Sequence, residues 1–116
     1  MERTGPQRRR LINRGDVFHV DLGRTRGSEI RKPRPCVVLS PDELNHHLRT
    51  MIIAPMTTSS RSYPWRIGCR FKNRAGVIAL DQIRAVDVER LGRKLGQLPA
   101  EATERALLTL QEMFSP

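Results

Sequence analysis

Arg34 stands between two prolines, Pro33 and Pro35, at the head of the apolar run Cys36-Val37-Val38-Leu39. A second apolar run, Met51-Ile52-Ile53-Ala54, closes on Pro55-Met56 and the hydroxyl cluster Thr57-Thr58-Ser59-Ser60. If the two runs are paired strands, a guanidinium and hydroxyls converge on one phosphate. The planar fork of arginine binds phosphate through two parallel N–H donors. Thr57 can add a hydroxyl donor to a non-bridging oxygen, with Thr58 or Ser59 beside it. Such a set suits cleavage of RNA through its own 2′-OH, where the substrate carries the nucleophile. The protein then has to accept the 2′ proton, stabilise charge on the pentavalent phosphate and protonate the leaving 5′-oxygen. Glu29 or Asp81 can orient Arg34 or accept a proton. Arg34 itself and His19 are further alternatives for the base.

Other chemistries find little material. His46 and His47 are adjacent and cannot share a helix face, and no Cys or acidic partner stands at metal-ligand spacing. No Walker loop, no Gly-x-Gly-x-x-Gly and no Gly-x-Ser-x-Gly elbow occurs. Cys36 and Cys69 each lie in an apolar, strand-like context, which reads as two reduced, buried thiols. No metal and no cofactor is expected.

The 116 residues bear a net charge of +9. Residues 1–14 hold five Arg and one Glu, so they supply +4 and the remaining chain +5. Only 3 of the 21 basic residues are Lys, leaving 18 Arg. This balance points to a polyanionic partner, either nucleic acid or an acidic protein segment. One domain is the expectation at this length, with roughly two-thirds of the unfolded surface buried on folding. No apolar run approaches the ~20 residues of a membrane span, and no apolar stretch follows the basic N-terminus as in a secretory signal. A cytoplasmic protein is expected.

Residues 1–13, with Gly5, Pro6 and Arg8-Arg9-Arg10, read as a disordered basic leader; residues 14–116 read as the folded domain. Val17 to Leu22 alternates, with Phe18, Val20 and Leu22 on the core face and Val17, His19 and Asp21 on the other. Residues 23–33 form a Gly- and charge-rich loop, a length that is usually functional. Ser40-Pro41-Asp42-Glu43 is a helix start with Ser40 as cap, leading a helix of one or two turns. Pro55 places the strand 51–56 at an edge or near its own end. Residues 57–64 form a polar loop. Trp65, Ile67, Cys69 and Phe71 alternate with Arg66, Gly68, Arg70 and Lys72, a half-buried strand with Trp65 on its core side. Strands follow at 75–80, 83–87 and 91–98. Pro99 opens a helix whose stripe of Ala106, Leu107, Leu110, Met113 and Phe114 faces a sheet or a partner. The result is a small, mainly β, strongly bent antiparallel domain.

At these residues the chain resembles the MazF/PemK family of toxin endoribonucleases. The resemblance runs from Arg14-Gly15-Asp16-Val17 to the C-terminal helix. Its most specific parts are Gly27-Ser28-Glu29 leading to Arg34-Pro35, Val38-Leu39-Ser40-Pro41, Pro55-x-Thr57-Thr58 with Tyr63-Pro64, and Gly76 to Asp87. It implies an SH3-like antiparallel barrel of the CcdB/MazF type, with a short helix and a C-terminal helix, working as a homodimer. It implies metal-independent cleavage of single-stranded mRNA to a 2′,3′-cyclic phosphate and a 5′-OH, inhibiting translation and growth. The family's catalytic arginine and threonine fall on Arg34 and Thr57, its loop glutamate on Glu29, and the acid assigned as base in some relatives on Asp81. Some relatives carry His where Ser28 stands and Arg where Ala79 stands, so a scheme pairing Asp81 with that arginine does not transfer whole. Loops 23–33 and 57–64 would rim an RNA groove. Ser28, Arg31, Lys32, Thr58, Ser59, Arg61, Tyr63 and Gln82 are its candidate contacts, with Arg66 a further phosphate contact and Tyr63 or Trp65 able to stack a base. The implied partner is an acidic, MazE-like antitoxin, through which alone the toxin would meet DNA. The alternatives are the same barrel as a gyrase-poisoning toxin without nuclease activity, or a non-catalytic nucleic-acid-binding module.

Overall fold

The computed structural model describes residues 11–23, 27, 29, 33–58 and 63–116. Among these residues seven strands form one antiparallel sheet: β1 (Asp16–Val20), β2 (Arg34–Val38), β3 (Thr50–Thr57), β4 (Arg66–Phe71), β5 (Arg74–Ala79), β6 (Arg84–Asp87) and β7 (Leu91–Gln97). Helix α1 (Asp42–His47) joins β2 to β3, and α2 (Ala100–Met113) ends the chain. The hydrogen-bonded path runs β4-β5-β3-β2-β1-β7, with β6 also on β3. The mainly β expectation, with one short and one terminal helix, is met.

The sheet turns about β3. On one side β3 pairs with β2; on the other its first half pairs with β6 at Thr50 to Ile53 and its end with β5 at Met56 and Thr57. Pro55 falls between those two partners. A residue without an N–H is tolerated there because no ladder bond is asked of it on that side. Pro55 therefore marks the gap between two neighbours, while its other side keeps Cys36 as partner.

Both faces of the sheet are covered. One face packs Ile12, Phe18, Val20, Leu22, Cys36, Val38, Met51, Ile53, Val86 and Leu91. The other packs Val17, Val37, Leu39, Ala54, Met56, Ile78 and Leu80 against Leu98, Ala102 and Ala106 at the start of α2. Val17 was expected on the polar face with His19 and Asp21, but it is fully buried beneath α2. The small Ala102 and Ala106 let the helix lie close to the sheet, with Leu110 and Met113 continuing the contact. Phe114, expected in that stripe, is 71% exposed. Ile12 is fully buried, so the packed chain extends ahead of residue 14. Residues 1–10 lie outside the described residues.

One buried polar group departs from the sequence expectation and a second ties two strands together. Ser40 does not cap α1; Pro41 holds the cap position and no side chain bonds there. Ser40 Oγ is instead buried, donating to Asn45 Oδ1 (2.6 Å) and accepting from Ile52 N (2.9 Å), while Asn45 Nδ2 donates to Ser40 O (2.9 Å). Asp16 is fully buried. Its carboxylate accepts from Asn13 N (2.9 Å) and Gln97 Nε2 (3.3 Å) and lies 3.4 Å from Lys94 Nζ. It thereby ties the entry of β1 to β7. Asp16→Ala would strand those donors and is expected to destabilise the fold by about 2 kcal/mol, measured by urea denaturation.

The β4–β5 hairpin turns on Lys72 and Asn73, both at positive φ (51° and 64°). That is the primed two-residue turn whose twist suits a hairpin. It sets the register of β4 on β5, with Phe71 opposite Arg74 and Arg66 opposite Ala79.

Candidate functional site

The β2–β3 register pairs Cys36 with Pro55, Val37 with Ala54 and Val38 with Ile53. Continued to the strand ends, it sets Arg34 opposite Thr57. Directly opposed residues of an antiparallel pair share a face, here the face of Cys36, Val38 and Ile53. Burial pushes the Cys36 thiol up to about 12, opposed by the positive charges of Arg34 and Arg84. Cys36 is therefore an un-ionised thiol at neutral pH and no nucleophile. Cys69 is also free, its pKa raised by burial.

Thr57 ends β3 and is only 7% exposed, whereas Arg34 is half-buried and Thr58 exposed. The hydroxyl and the guanidinium thus occupy a partly desolvated strand end, where a fixed donor acts more strongly than in water. An open cleft of about 270 Å³ borders this end, lined by Pro33 to Pro35, Met56 to Thr58, Cys69, Phe71 and Arg74 to Val77. Arg74 was not singled out by the sequence, and Gly76 only as the start of a motif, without its place beside Thr57. Their signal was the Lys72-Asn73 turn, which brings Arg74 to the cleft. At Gly76, a Cβ would meet Thr57 O at 2.9 Å, so only glycine lets β5 approach Thr57 this closely.

The described ends of the segments 23–33 and 57–64 are anchored. Arg84 Nη1 donates to Leu22 O (3.1 Å), and Arg90 Nη2 donates to Asp21 O (2.9 Å), where residues 23–33 begin. Tyr63 and Arg66 exchange two backbone bonds, Tyr63 N to Arg66 O (3.0 Å) and Arg66 N to Tyr63 O (2.7 Å), where residues 57–64 end. Glu29 is exposed in the first loop. Ser28, Arg31, Lys32, Ser59 and Arg61 lie outside the described residues.

Asp81 and Gln82 sit in a 3-10 turn after β5, outside the cleft lining. Asp81 Oδ1 accepts from Arg66 Nε (2.8 Å) and Oδ2 from Arg66 Nη2 (3.0 Å). Those hydrogen bonds hold the Asp81 carboxyl below the usual carboxylate range against a partial desolvation. A lowered pKa means the bidentate pair is complete at neutral pH and is lost only as acid protonates Asp81. The Arg66 guanidinium also lies 5.5 Å from the centroid of the Tyr63 ring. Tyr63 itself is 46% exposed, and Trp65 is half-buried beside it.

The histidines fall away from Arg34 and Thr57. His19 is exposed and opposite Pro35, so alternation puts it on the other face of the sheet from Arg34. His46 Nε2 pairs with Asn13 Oδ1 (2.9 Å) and His47 Nδ1 with Glu43 O (2.7 Å). Among the described residues no three His, Cys, Asp or Glu side chains gather as metal ligands, and no helix is long and apolar enough to cross a membrane.

Comparison with known proteins agrees with this architecture. Over 72 residues the chain is 38% identical to the endoribonuclease toxin MazF of Escherichia coli K12, covering 62% of this chain and 65% of the relative. The chain thus spans about two-thirds of the length of the curated relatives it matches. Its fold superposes on the crystal structure of MazF from Deinococcus radiodurans with a TM-score of 0.78, at 24% identity, over 90% of this chain and 96% of that one. A mycobacterial endoribonuclease solved with its cognate antitoxin gives a TM-score of 0.73 at 22% identity, over 87% of this chain and 92% of the other. The sequence profile of the PemK-like, MazF-like toxins matches residues 13–114. With the profile spanning nearly the whole folded chain, this chain belongs to the PemK-like, MazF-like toxins of type II toxin–antitoxin systems.

Proposed function

We propose that this protein is a sequence-specific endoribonuclease toxin that cleaves single-stranded mRNA without a metal ion. The observation that carries this reading is the cleft that Arg34 and Thr57 both line at neighbouring strand ends, where the β2–β3 register, continued past Cys36 and Pro55, brings the two side by side. The names of its relatives support the activity. In the reaction, the substrate's 2′-oxygen bonds to phosphorus and the bond from phosphorus to the 5′-oxygen breaks. The 2′ proton passes to Glu29, exposed on the loop that feeds β2. The Arg34 fork binds the non-bridging oxygens as negative charge builds there, and the Thr57 hydroxyl donates a further bond. A proton returned to the 5′-oxygen leaves a 5′-OH and a 2′,3′-cyclic phosphate. The substrate reaches the site between loops 23–33 and 57–64, with Ser28, Arg31, Lys32, Thr58, Ser59, Arg61, Tyr63 and Gln82 as its contacts.

The active species is a cytoplasmic homodimer restrained by an acidic, MazE-like antitoxin. The net charge of +9 and relatives solved in complex with antitoxins support such a partner. Purified protein incubated separately with single-stranded RNA and with gyrase in a supercoiling assay tests the activity. Discrete RNA fragments with unchanged supercoiling are the expected result. Intact RNA with blocked supercoiling would identify a gyrase poison. Gly76→Ala is expected to lower kcat by about 10-fold or more, because the added methyl pushes on the Thr57 carbonyl and small misplacements at a reacting centre are costly. Steady-state cleavage kinetics check this.

A further inference from the structure

We infer that Asp81 serves this reaction through Arg66, fixing a Tyr63–Arg66 platform on which one base of the RNA stacks, and not as the acceptor of the 2′ proton. The inference rests on the RNA-cleaving reading above.

Strand alternation places the platform on the same face as the reacting groups. Thr57 is paired with Val77, and Val77 with Gly68, so these three form one row across β3, β5 and β4. Ile67, Cys69 and Phe71 stand on the α2 side of β4, where Cys69 and Phe71 also reach the cleft around the strand end, so alternation puts Arg66 and Gly68 on the other side of β4, the side of the Thr57 and Arg34 positions. Arg66 stands one same-face step along β4 from Gly68. With ~4.8 Å between strands and ~6.8 Å between same-face residues, Arg66 lies roughly 12 Å from Thr57. A nucleotide next to the scissile phosphate can bridge that span.

The platform is rigid where it needs to be. The Arg66 side chain is only 14% exposed, and both Asp81 oxygens are engaged by its Nε and Nη2. The backbone bridge between Tyr63 and Arg66 fixes the ring relative to the guanidinium, which lies at cation–π distance on it. The 46% exposure of Tyr63 leaves ring surface for a base, and Leu80 N donating to Trp65 O (2.9 Å) ties the turn carrying Tyr63 to the segment carrying Asp81. An aromatic ring with a stacked arginine is a sequence-tolerant surface for an unpaired base. An acid committed to two guanidinium bonds, with its pKa held low, is by contrast a poor proton acceptor near neutral pH.

Asp81→Asn, Arg66→Met, the double variant and Tyr63→Ala test this on a single-stranded RNA containing a mapped cleavage site. The same RNA carrying a 2′-O-methyl group at that site, which cannot be cleaved, reports binding alone. Asp81→Asn is expected to raise KM and weaken binding of the methylated RNA by about tenfold, the scale of one lost base stack. At saturating RNA its kcat should stay within about threefold of wild type. Arg66→Met and Tyr63→Ala should match it, and the double variant should be no worse than the poorer single one, as for residues acting as one unit. A kcat loss of about a hundredfold at saturating RNA in Asp81→Asn, unchanged binding of the methylated RNA, or multiplying effects in the double variant would each overturn the inference. If wild-type protein leaves RNA intact while Asp81→Asn still weakens binding of the unmodified RNA, the cleavage reading fails and the platform stands. Tyr63→Ala alters an exposed ring and provides the comparison even where an Arg66 variant loses the fold, which thermal melting detects.

Discussion

Arg34→Ala is expected to lower kcat for RNA cleavage by at least about 100-fold, with the fold intact. A preorganised donor to the developing charge is worth roughly two to three orders of magnitude in comparable sites. Arg34 is held at the head of β2 between two prolines, opposite Thr57, with its backbone in the ladder to Val20 of β1. Alanine keeps that ladder and removes only the fork. Because Arg34 is half-buried at a strand end, melting should shift little, and the loss should fall on kcat more than on KM. Arg34→Lys keeps a positive charge and loses the second parallel donor, so it should recover only part of the activity. Steady-state kinetics with a thermal melt separate these outcomes, and an Arg34→Ala protein that cleaves at the wild-type rate would remove Arg34 from the site.

Thr57→Val should be the second most damaging change. Valine matches threonine in shape, and at 7% exposure the site accepts that shape while losing its hydroxyl. The expected cost is about 10- to 100-fold in kcat, smaller than for Arg34 because one neutral donor is lost in place of a charged, bidentate one. Thr57→Ser keeps the hydroxyl and should retain most of the rate. Equal losses in the serine and valine variants would assign Thr57 a packing role instead.

The strands were legible because each carries its alternation or apolar run on its own residues. Turn chemistry at Pro99 and the apolar periodicity after it likewise announced α2. What stayed hidden depends on pairing. A period of two says that Val17 and His19 share a face, but not that α2 covers that face over Val17 and leaves His19 exposed. Ser40 before Pro41 is a good cap by local rules, yet the buried Asn45 and the N–H of Ile52, from a later turn and another strand, claim its hydroxyl. Arg34 and Thr57 could be set together from their strand-end positions alone. The Asp81–Arg66 pair could not, since it follows from a register fixed by the positive-φ turn at Lys72 and Asn73. The same register explains why Gly76 must be glycine, a contact with the Thr57 carbonyl that no local pattern records.

The central claim is that Arg34 and Thr57 stabilise attack by the RNA's own 2′-OH. Its most direct measurement is digestion of single-stranded RNA by the purified protein in excess EDTA, followed by analysis of both new ends. The account predicts undiminished cleavage, with a 2′,3′-cyclic phosphate on one fragment and a 5′-OH on the other. Cleavage abolished by EDTA, or fragments bearing 5′-phosphates, would contradict it.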